Sequence, residues 1–225
     1  MRILRGVIFL SGGLYATMNP FAQTSLDKMP KPQDNVTPSA DSLAAAAGKA
    51  AKGGGLPPVH LWNPPFCGDL DIRIARDGTW FYLGTPIGRA PLVRLFSTIL
   101  KLEEGRYYLV TPVEKVGIRV DDAPFVAVDF TATGQGEGQS LTFHTNVGDS
   151  AEAGPLHPIR VVRDPDSGEP APYVMIRAGL EALIDRKSFY RLVDLAMLGR
   201  IEGQEWLGLW SGGQFFGLSP ADQLT

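Results

Sequence analysis

An internal repeat is the feature of this sequence that most restricts its fold. The segment IRIARD at residues 72–77 returns as IRVVRD at residues 159–164. Farther along each copy, IGRAPLVRL at residues 87–95 returns as IDRKSFYRL at residues 184–192, an offset of 97 positions from 87 to 184. Segments that recur in the same order indicate a duplicated structural unit. We therefore predict two tandem copies of one fold.

Each copy also carries the hydrophobic spacing of one amphipathic helix. Apolar residues fall at positions i, i+3, i+4, i+7 and i+8, which places them along one helix face. They are Leu92, Leu95, Phe96, Ile99 and Leu100 in the first copy, and Phe189, Leu192, Val193, Ala196 and Met197 in the second. We expect short helices near residues 90–101 and 187–198. A Glu-Gly turn at 104–105 and at 202–203 should then lead each copy into a further strand.

The repeat and its strand patterns together predict the fold class. We expect an α+β protein that is mainly β, built from two duplicated β-rich halves with one short helix each. The N-terminal repeat is placed at residues 56–150 and the C-terminal repeat at residues 151–225. Residues 1–55 are predicted to be a disordered tail and linker. Their alanine-rich segment after Ser39 can form a short helix, but it has almost no apolar face to dock.

The charge distribution argues against nucleic-acid binding. Residues 1–55 carry six basic and three acidic side chains, which leaves the remainder with a net charge of −6 in a chain of net charge −3. A nucleic-acid-binding surface needs a basic footprint. The remainder does contain twelve arginines against three lysines. Because arginine suits bidentate contacts with carboxylates and phosphates, we expect some of these arginines to be paired.

The cysteine and histidine content gives no indication of a metal site. Cys67 is the only cysteine, so the chain cannot form an intramolecular disulfide or a cysteine-based metal cluster. The three histidines, His60, His144 and His157, lack the spacing of the common zinc motifs. We therefore assign no metal ligand.

The N-terminal segment bears on localisation. Residues 1–23 contain two arginines and an apolar run that Ser-Gly-Gly interrupts, which is too short to span a membrane. We expect no transmembrane segment and a cytoplasmic protein. The alternative is an exported protein, if this segment is a true signal peptide.

Several sequence blocks are scattered along the whole body of the chain. They are CGDLDIRI (67–74), DGTWFYLGTPIGR (77–89), LVRLFS (92–97), LVTPVEK (109–115), DAPF (122–125) and LTFHTN (141–146), together with Trp62. Together they resemble an uncharacterised bacterial family, domain of unknown function 1285, over the span from Leu56 to the C terminus. The resemblance implies a duplicated β-rich core whose C-terminal half is superficially like a pleckstrin-homology fold. It also implies a nucleotide-type ligand site at the interface of the halves and a role in signal transduction, with no established activity.

The start of the first copy's helix is the best candidate for an anion site. A cation such as Arg89 is unfavourable at a helix start unless it recruits an anion. Thr85 and Gly88 precede it and offer a hydroxyl and a backbone N–H to the same anion. The equivalent Arg186 follows Asp185, which can cap its own helix. The alternative is that each arginine forms a salt bridge with an acid of the protein.

Thr145 and Asn146 are two further candidates for ligand binding. They close a strand and lead into a Gly-Asp turn, where they can read the polar edge of a ligand. The alternative is that both side chains satisfy the turn itself.

These observations favour a non-enzymatic binding module for a small anionic ligand, with a nucleotide as one candidate, in bacterial signal transduction. No nucleophile–base pair is visible, so no catalytic residue is assigned and no cofactor is named. A hydrolase that uses carboxylates with His144 or His157 is one alternative, and a protein-interaction adaptor is another. Ligand identity, protein partners and oligomeric state are left open.

Overall fold

The computed structural model describes residues 39–51 and 55–223. In these residues fifteen strands form two six-stranded sheets and one three-stranded sheet, and three α-helices pack against them. The helices are α1 (Ala40–Ala50), α2 (Ala90–Thr98) and α3 (Arg186–Val193). None of the described helices is long and apolar enough to cross a membrane.

The first sheet consists of two antiparallel meanders that a parallel pair joins. Its strands are β1 (Phe66–Ile74), β2 (Trp80–Tyr82), β3 (Thr85–Pro86), β4 (Leu100–Glu103), β5 (Arg106–Val110) and β6 (Lys115–Val120). Their order is β3-β2-β1-β6-β5-β4, and β1 runs parallel to β6. The helix α2 connects the two meanders.

The second sheet has a similar central parallel pair. Its strands are β7 (Phe125–Thr133), β8 (Ser140–Thr145), β9 (Ser150–Glu152), β10 (Ile159–Arg163), β11 (Pro170–Arg177) and β12 (Leu180–Ile184). Their order is β10-β11-β12-β7-β8-β9, with β7 parallel to β12. The third sheet is an antiparallel meander of β13 (Met197–Ile201), β14 (Gln204–Ser211) and β15 (Gln214–Pro220).

The duplicated unit is a meander, a helix and a second meander. In the first copy these are β1–β3, α2 and β4–β6; in the second copy they are β10–β12, α3 and β13–β15. In the first copy β1 and β6 are hydrogen-bonded neighbours. In the second copy β10 lies beside β15, and Arg163 of β10 donates a hydrogen bond of 2.8 Å to Ser219 of β15. The predicted duplication and its order of elements are confirmed.

Tight turns repeat between the copies as closely as the strands do. Four non-glycine residues in the described part of the chain have a positive φ, and each precedes a glycine that also has a positive φ. They are Leu83 and Glu104 in the first copy, and Ala178 and Glu202 in the second. Two successive residues of positive φ define the type I′ hairpin turn, whose twist matches that of the flanking strands. The two Glu-Gly turns were predicted from the sequence. The turns at Leu83 and Ala178, which join the second and third strands of each copy, were not predicted.

Both helices of the repeat end earlier than the hydrophobic spacing predicts. In α2 the C-cap is Ile99, and Leu100 already belongs to β4. In α3 the C-cap is Asp194, and Met197 begins β13. The chain turns from helix to strand while Ile99 and Leu100 stay buried in the core. A helical spacing therefore continues across the boundary, since both elements face the same interior.

The strands β7–β9 belong to the second sheet. The sequence assigns residues 56–150 to the N-terminal repeat, but residues 125–152 hydrogen-bond into the sheet of the C-terminal half. Phe125 to Ala127 of β7 pair with Ala182 to Ile184 of β12. The division between the halves thus falls between Val120, where the first sheet ends, and Phe125. The meander β7–β9 is an addition to the duplicated unit.

The helix α1 departs from the prediction of a disordered tail through residue 55. Ser39 caps it by accepting a hydrogen bond from the backbone N–H of Ser42, and the Ser42 side chain bonds back to the Ser39 backbone. Leu43 and Ala47 are completely buried, and α1 packs against α2. Leu43 and the small alanines give α1 enough apolar surface to pack against α2, because the two helices lie close together. The rest of the predicted tail, residues 1–38 and 52–54, lies outside the described residues.

Candidate functional site

A cleft of about 720 Å³ opens between the two halves beside α2. We call it the α2 cleft. Its N-terminal wall is formed by residues 78–80 and by the segment 87–94 at the start of α2, and its C-terminal wall by residues 145–148. A volume of this size accommodates a small organic ligand. The loop after β8 and the first turns of α2 therefore face each other across a site that neither half can form alone.

Among the described residues, Arg94 is the only charged side chain that lines the α2 cleft. Its guanidinium lies against Gly148 of the opposite wall, where a Cβ would approach Arg94 Cζ to 3.0 Å. The side chain forms no salt bridge and no hydrogen bond with any described residue. A guanidinium has five N–H donors in one plane, an arrangement that suits paired hydrogen bonds to the oxygens of a carboxylate or phosphate.

The duplication provides a comparison for this arginine. Arg191 is the equivalent residue of α3, and it donates a hydrogen bond of 2.5 Å to Asp129. It also lies over the ring of Phe130, 4.5 Å from the centroid. The same contrast holds one turn earlier, since Arg186 pairs with Glu169 while Arg89 has no carboxylate partner among the described residues. Arg186 and Arg191 of the second copy are therefore paired, whereas the equivalent Arg89 and Arg94 have no carboxylate partner in the part of the chain that the structure describes.

Three of the five predicted ligand-binding residues line the α2 cleft, namely Gly88, Thr145 and Asn146. The other two do not line it. Thr85 lies exposed in the short strand β3, and Arg89 is the exposed N-cap of α2 without a side-chain hydrogen bond. Arg94 was not singled out from the sequence. The repeat aligns Arg94 with Arg191. The two differ because Arg191 pairs with Asp129, and this acid is distant from both arginines in the sequence.

The polar side chains of the C-terminal wall form hydrogen bonds within the protein. Asn146 accepts a hydrogen bond of 3.0 Å from the Val126 N–H and donates one of 3.4 Å to the carbonyl of Gly78. Thr145 accepts a hydrogen bond of 2.9 Å from the Asp149 N–H and closes the turn. Asn146 thus ties the two halves together across the cleft. The geometry matches the turn alternative for Thr145, whereas the side chain of Asn146 bonds outside the turn.

A partly buried ion pair holds the two walls of the cleft in place. Arg177 of β11 pairs with Asp149, which follows the C-terminal wall. Its other terminal nitrogen donates a hydrogen bond of 2.6 Å to the carbonyl of Ser97 in α2. The guanidinium also lies 4.9 Å from the ring centroid of Phe125. One side chain therefore fixes both the loop after β8 and the C-terminal end of α2.

The remaining wall of the cleft is apolar. It includes Trp80, which is almost fully buried and stacks on Phe96 at a centroid distance of 6.3 Å. The indole Nε1 is buried without a hydrogen-bond partner among the described residues. Since a buried donor without an acceptor is destabilising, Trp80 contributes shape and apolar surface at a cost to stability.

A second cleft, of about 910 Å³, lies between the halves on the side of β10–β12. Several of its polar groups pair with one another, although Asp122 Oδ2 is buried without a hydrogen bond among the described residues. Arg76 approaches Asp122 to 3.2 Å, and the Tyr173 hydroxyl donates a hydrogen bond of 2.8 Å to the same carboxylate. Burial and then this hydrogen bond raise the pKa of Tyr173 to about 12. Arg186, at the rim, pairs with Glu169. Arg163, the third cation of this lining, has no carboxylate partner, but it donates hydrogen bonds to the Gly168 carbonyl and the Ser219 hydroxyl. Each of the three cations among the described lining residues therefore has a partner, unlike Arg94.

The histidines proposed for the hydrolase alternative are not placed in either cleft. His144 contacts Ser150 Oγ at 2.9 Å and Thr131 Oγ1 at 3.1 Å, on the surface of β7–β9. His157 contacts the carbonyl of Met175 at 3.1 Å. Neither histidine lines the α2 cleft or the second cleft. In the described part of the chain no three His, Cys, Asp or Glu side chains are placed to hold a metal ion.

Comparison with known proteins agrees with the division into halves. Residues 57–123 match the N-terminal domain, and residues 124–218 the C-terminal domain, of DUF1285, which is described as a domain or protein of unknown function. The chain is 68% identical to a DUF1285 family protein from Silicibacter pomeroyi DSS-3, whose crystal structure it matches with a TM-score of 0.74 over 83% of this chain and 99% of that chain. The chain belongs to the DUF1285 family.

A more distant member of the DUF1285 family is also similar. The protein from Shewanella baltica OS155 is 31% identical, and the match covers 56% of this chain and 91% of that chain with a TM-score of 0.44. Comparison with curated proteins finds no significant match. Membership of the DUF1285 family agrees with the resemblance found in the sequence blocks, and the division of its two domains after residue 123 coincides with the boundary between the first and second sheets.

Proposed function

We propose that this protein is a non-enzymatic binding module that holds a small anion in the α2 cleft, at the interface of its two halves. The observation that supports it is the contrast between Arg94 and its equivalent Arg191. The fold supplies a carboxylate to the second arginine and none, in the described residues, to the first. A guanidinium at a cleft without an internal partner is available to an external anion.

The electrostatics of the body make this position distinctive. The chain outside residues 1–55 carries a net charge of −6, so an anion meets a repulsive field over much of the surface. The α2 cleft contains no acidic side chain among its lining residues. The adjacent Asp149 is neutralised by Arg177. Arg94 therefore acts in a local environment that favours negative charge.

Sensing is the role that suits such a module. The cleft needs both halves, because Arg94 comes from one and the loop 145–148 from the other. A bound anion therefore stabilises the relative position of the halves, and an occupied protein can be distinguished from an empty one. We extend the proposal to bacterial signal transduction on this basis.

We also propose a cytoplasmic location, where the exposed thiol of Cys67 stays reduced. Fractionation of cells that express the full chain tests this location.

The test uses thermal shift on the full chain with orthophosphate, nucleotides and small carboxylates. A ligand that binds only the native state raises the melting temperature. We expect at least one of these anions to do so for the wild type and for Arg191→Ala, and to lose most of its effect with Arg94→Ala. Loss of a charge-assisted contact weakens binding about tenfold or more.

Arg89→Ala separates this site from the one predicted at the helix start. If the ligand contacts the exposed N-cap instead, Arg89→Ala abolishes binding and Arg94→Ala does not. Equal responses of the wild type and Arg94→Ala to every anion would overturn the proposed function.

A further inference from the structure

The number of charges in the α2 cleft bears on the class of ligand it can hold. Of the described residues that line the cleft, Arg94 alone is basic, and no acid is among them. A nucleoside triphosphate carries several negative charges, and its sites in proteins use several cations or a divalent metal ion. The described residues contain no group placed to hold such a metal. One guanidinium matches one carboxylate, which it can bind through two parallel hydrogen bonds.

Two polar side chains of the cleft, those of Thr145 and Asn146, are engaged within the protein, whereas the buried Trp80 Nε1 has no hydrogen-bond partner among the described residues. The side chains of Asn146 and Thr145 bond to backbone groups of Val126, Gly78 and Asp149. The backbone N–H of Thr79 donates a hydrogen bond of 2.9 Å to Asp77. Recognition of a nucleobase requires free donors and acceptors that match its edge. These side chains would have to give up their contacts in the fold before they could supply them.

Apolar surface makes up most of what remains. It comes from both walls of the cleft. The apolar residues are Trp80, Ile87, Ala90, Pro91, Val93 and Val147. Contact with them favours a ligand whose body is apolar and removed from water on binding.

We propose that the ligand of the α2 cleft carries a single negative charge on an apolar body, as an aromatic or branched aliphatic carboxylic acid does. This proposal rests on the proposed function, because it assumes that the cleft is the binding site. The carboxylate pairs with Arg94, and the body packs against Ile87, Pro91 and Val147. Nucleotides with two or three phosphates are disfavoured, since most of their charge would stay uncompensated in an acidic body.

The experiment compares matched probes with the full chain by isothermal titration and by ¹H–¹⁵N correlation spectra. The first probe, 3-phenylpropionate, has both the charge and the body. Acetate keeps only the charge, 3-phenylpropanol keeps only the body, and AMP and ATP represent nucleotides. We expect 3-phenylpropionate to bind at least about tenfold more tightly than each of the others, since the ion pair and the buried ring each contribute about this factor. In Arg94→Gln its advantage over 3-phenylpropanol should disappear.

The outcomes distinguish this inference from the proposed function. Tighter binding of AMP or ATP than of 3-phenylpropionate, lost in Arg94→Gln, would overturn the inference and leave the proposed function standing. If the binding of none of the probes depends on Arg94, both the inference and the proposed function are wrong. Chemical-shift changes confined to residues 78–94 and 145–148 would place the bound probe in the α2 cleft, and changes on β10–β12 would contradict it.

Discussion

Arg94 and Arg191 occupy the same position in the two copies of the duplicated unit, but within residues 39–51 and 55–223 only Arg191 contacts a carboxylate, that of Asp129. The partner comes from β7, in the meander that the second copy has in addition. Arg94 instead lies against Gly148 in the β8–β9 turn of the same meander, which gives it no carboxylate partner among the described residues. One extra structural element has therefore given equivalent arginines different environments: the first faces a cleft, and the second holds α3 against β7.

This contrast predicts opposite effects on stability and binding. Arg191→Ala should lower the melting temperature by about 2–4 °C, because it removes a half-exposed ion pair and a cation–π contact. Arg94→Ala should leave it nearly unchanged, since the side chain has no internal partner to lose. Differential scanning calorimetry without ligand measures both values. A large loss of stability in Arg94→Ala would show that Arg94 has a structural role.

Ser211 should be important for stability because it joins the third sheet to the second. Its buried hydroxyl accepts a hydrogen bond of 2.9 Å from the Leu141 N–H and donates one of 2.7 Å to the carbonyl of Ala153. Ser211→Ala leaves two buried backbone groups without a partner, and the free energy of unfolding should fall by about 2–4 kcal/mol. Urea denaturation measures the change. The matched control is Ser140→Ala, whose side chain has no such contacts and which should change stability by less than about 0.5 kcal/mol.

Tyr173 should make stability depend on pH in the alkaline range. Burial and the hydrogen bond to Asp122 raise the pKa of Tyr173 to about 12, from an ordinary value of 10.0. The folded protein thus favours the neutral phenol, so this contribution to stability is fully present below pH 10 and is lost as the pH rises through about 12. The difference in unfolding free energy between wild type and Tyr173→Phe should shrink above pH 10. A constant difference from pH 8 to pH 11.5 would contradict the assignment.

The docking of α1 predicts that residues before 56 contribute to stability. Leu43 is completely buried against the core, and Leu43→Ala should lower the unfolding free energy by about 2 kcal/mol. Lys49→Ala, on the exposed face of the same helix, should have almost no effect. Urea denaturation of both variants provides the measurement. Identical curves for Leu43→Ala and wild type would mean that α1 is detached in solution, as the sequence alone predicts.

The repeated elements were predictable because their signals are local. The two helices, the Glu-Gly turns and the strands on either side lie within segments that the sequence repeats. The placement of β7–β9 was not predictable in this way, since its partner β12 lies more than fifty residues farther along the chain. Strand pairing over such a distance leaves no local pattern.

The same limitation applies to the candidate site. Gly88, Thr145 and Asn146 carried a recognisable signal, since turns and helix starts are visible in sequence, and they line the α2 cleft together. Arg94 was missed because its distinction from Arg191 depends on Asp129, which is 62 positions from Arg191. The docking of α1 was missed because Leu43 and the alanines around it give a weak amphipathic pattern, although they fit closely against α2.

The two central parallel pairs have a consequence for how this chain folds during synthesis. The first sheet closes when β6 reaches β1, so it is complete once residue 120 has emerged from the ribosome. The meander β7–β9 emerges next, but its partner β12 follows only at residues 180–184. For that interval β7 presents an unpaired edge with the apolar residues Phe125 and Val126. Pairing across such sequence distances is slow, and open edges promote aggregation. The nascent chain is therefore most vulnerable between the completion of the first sheet and the arrival of β12.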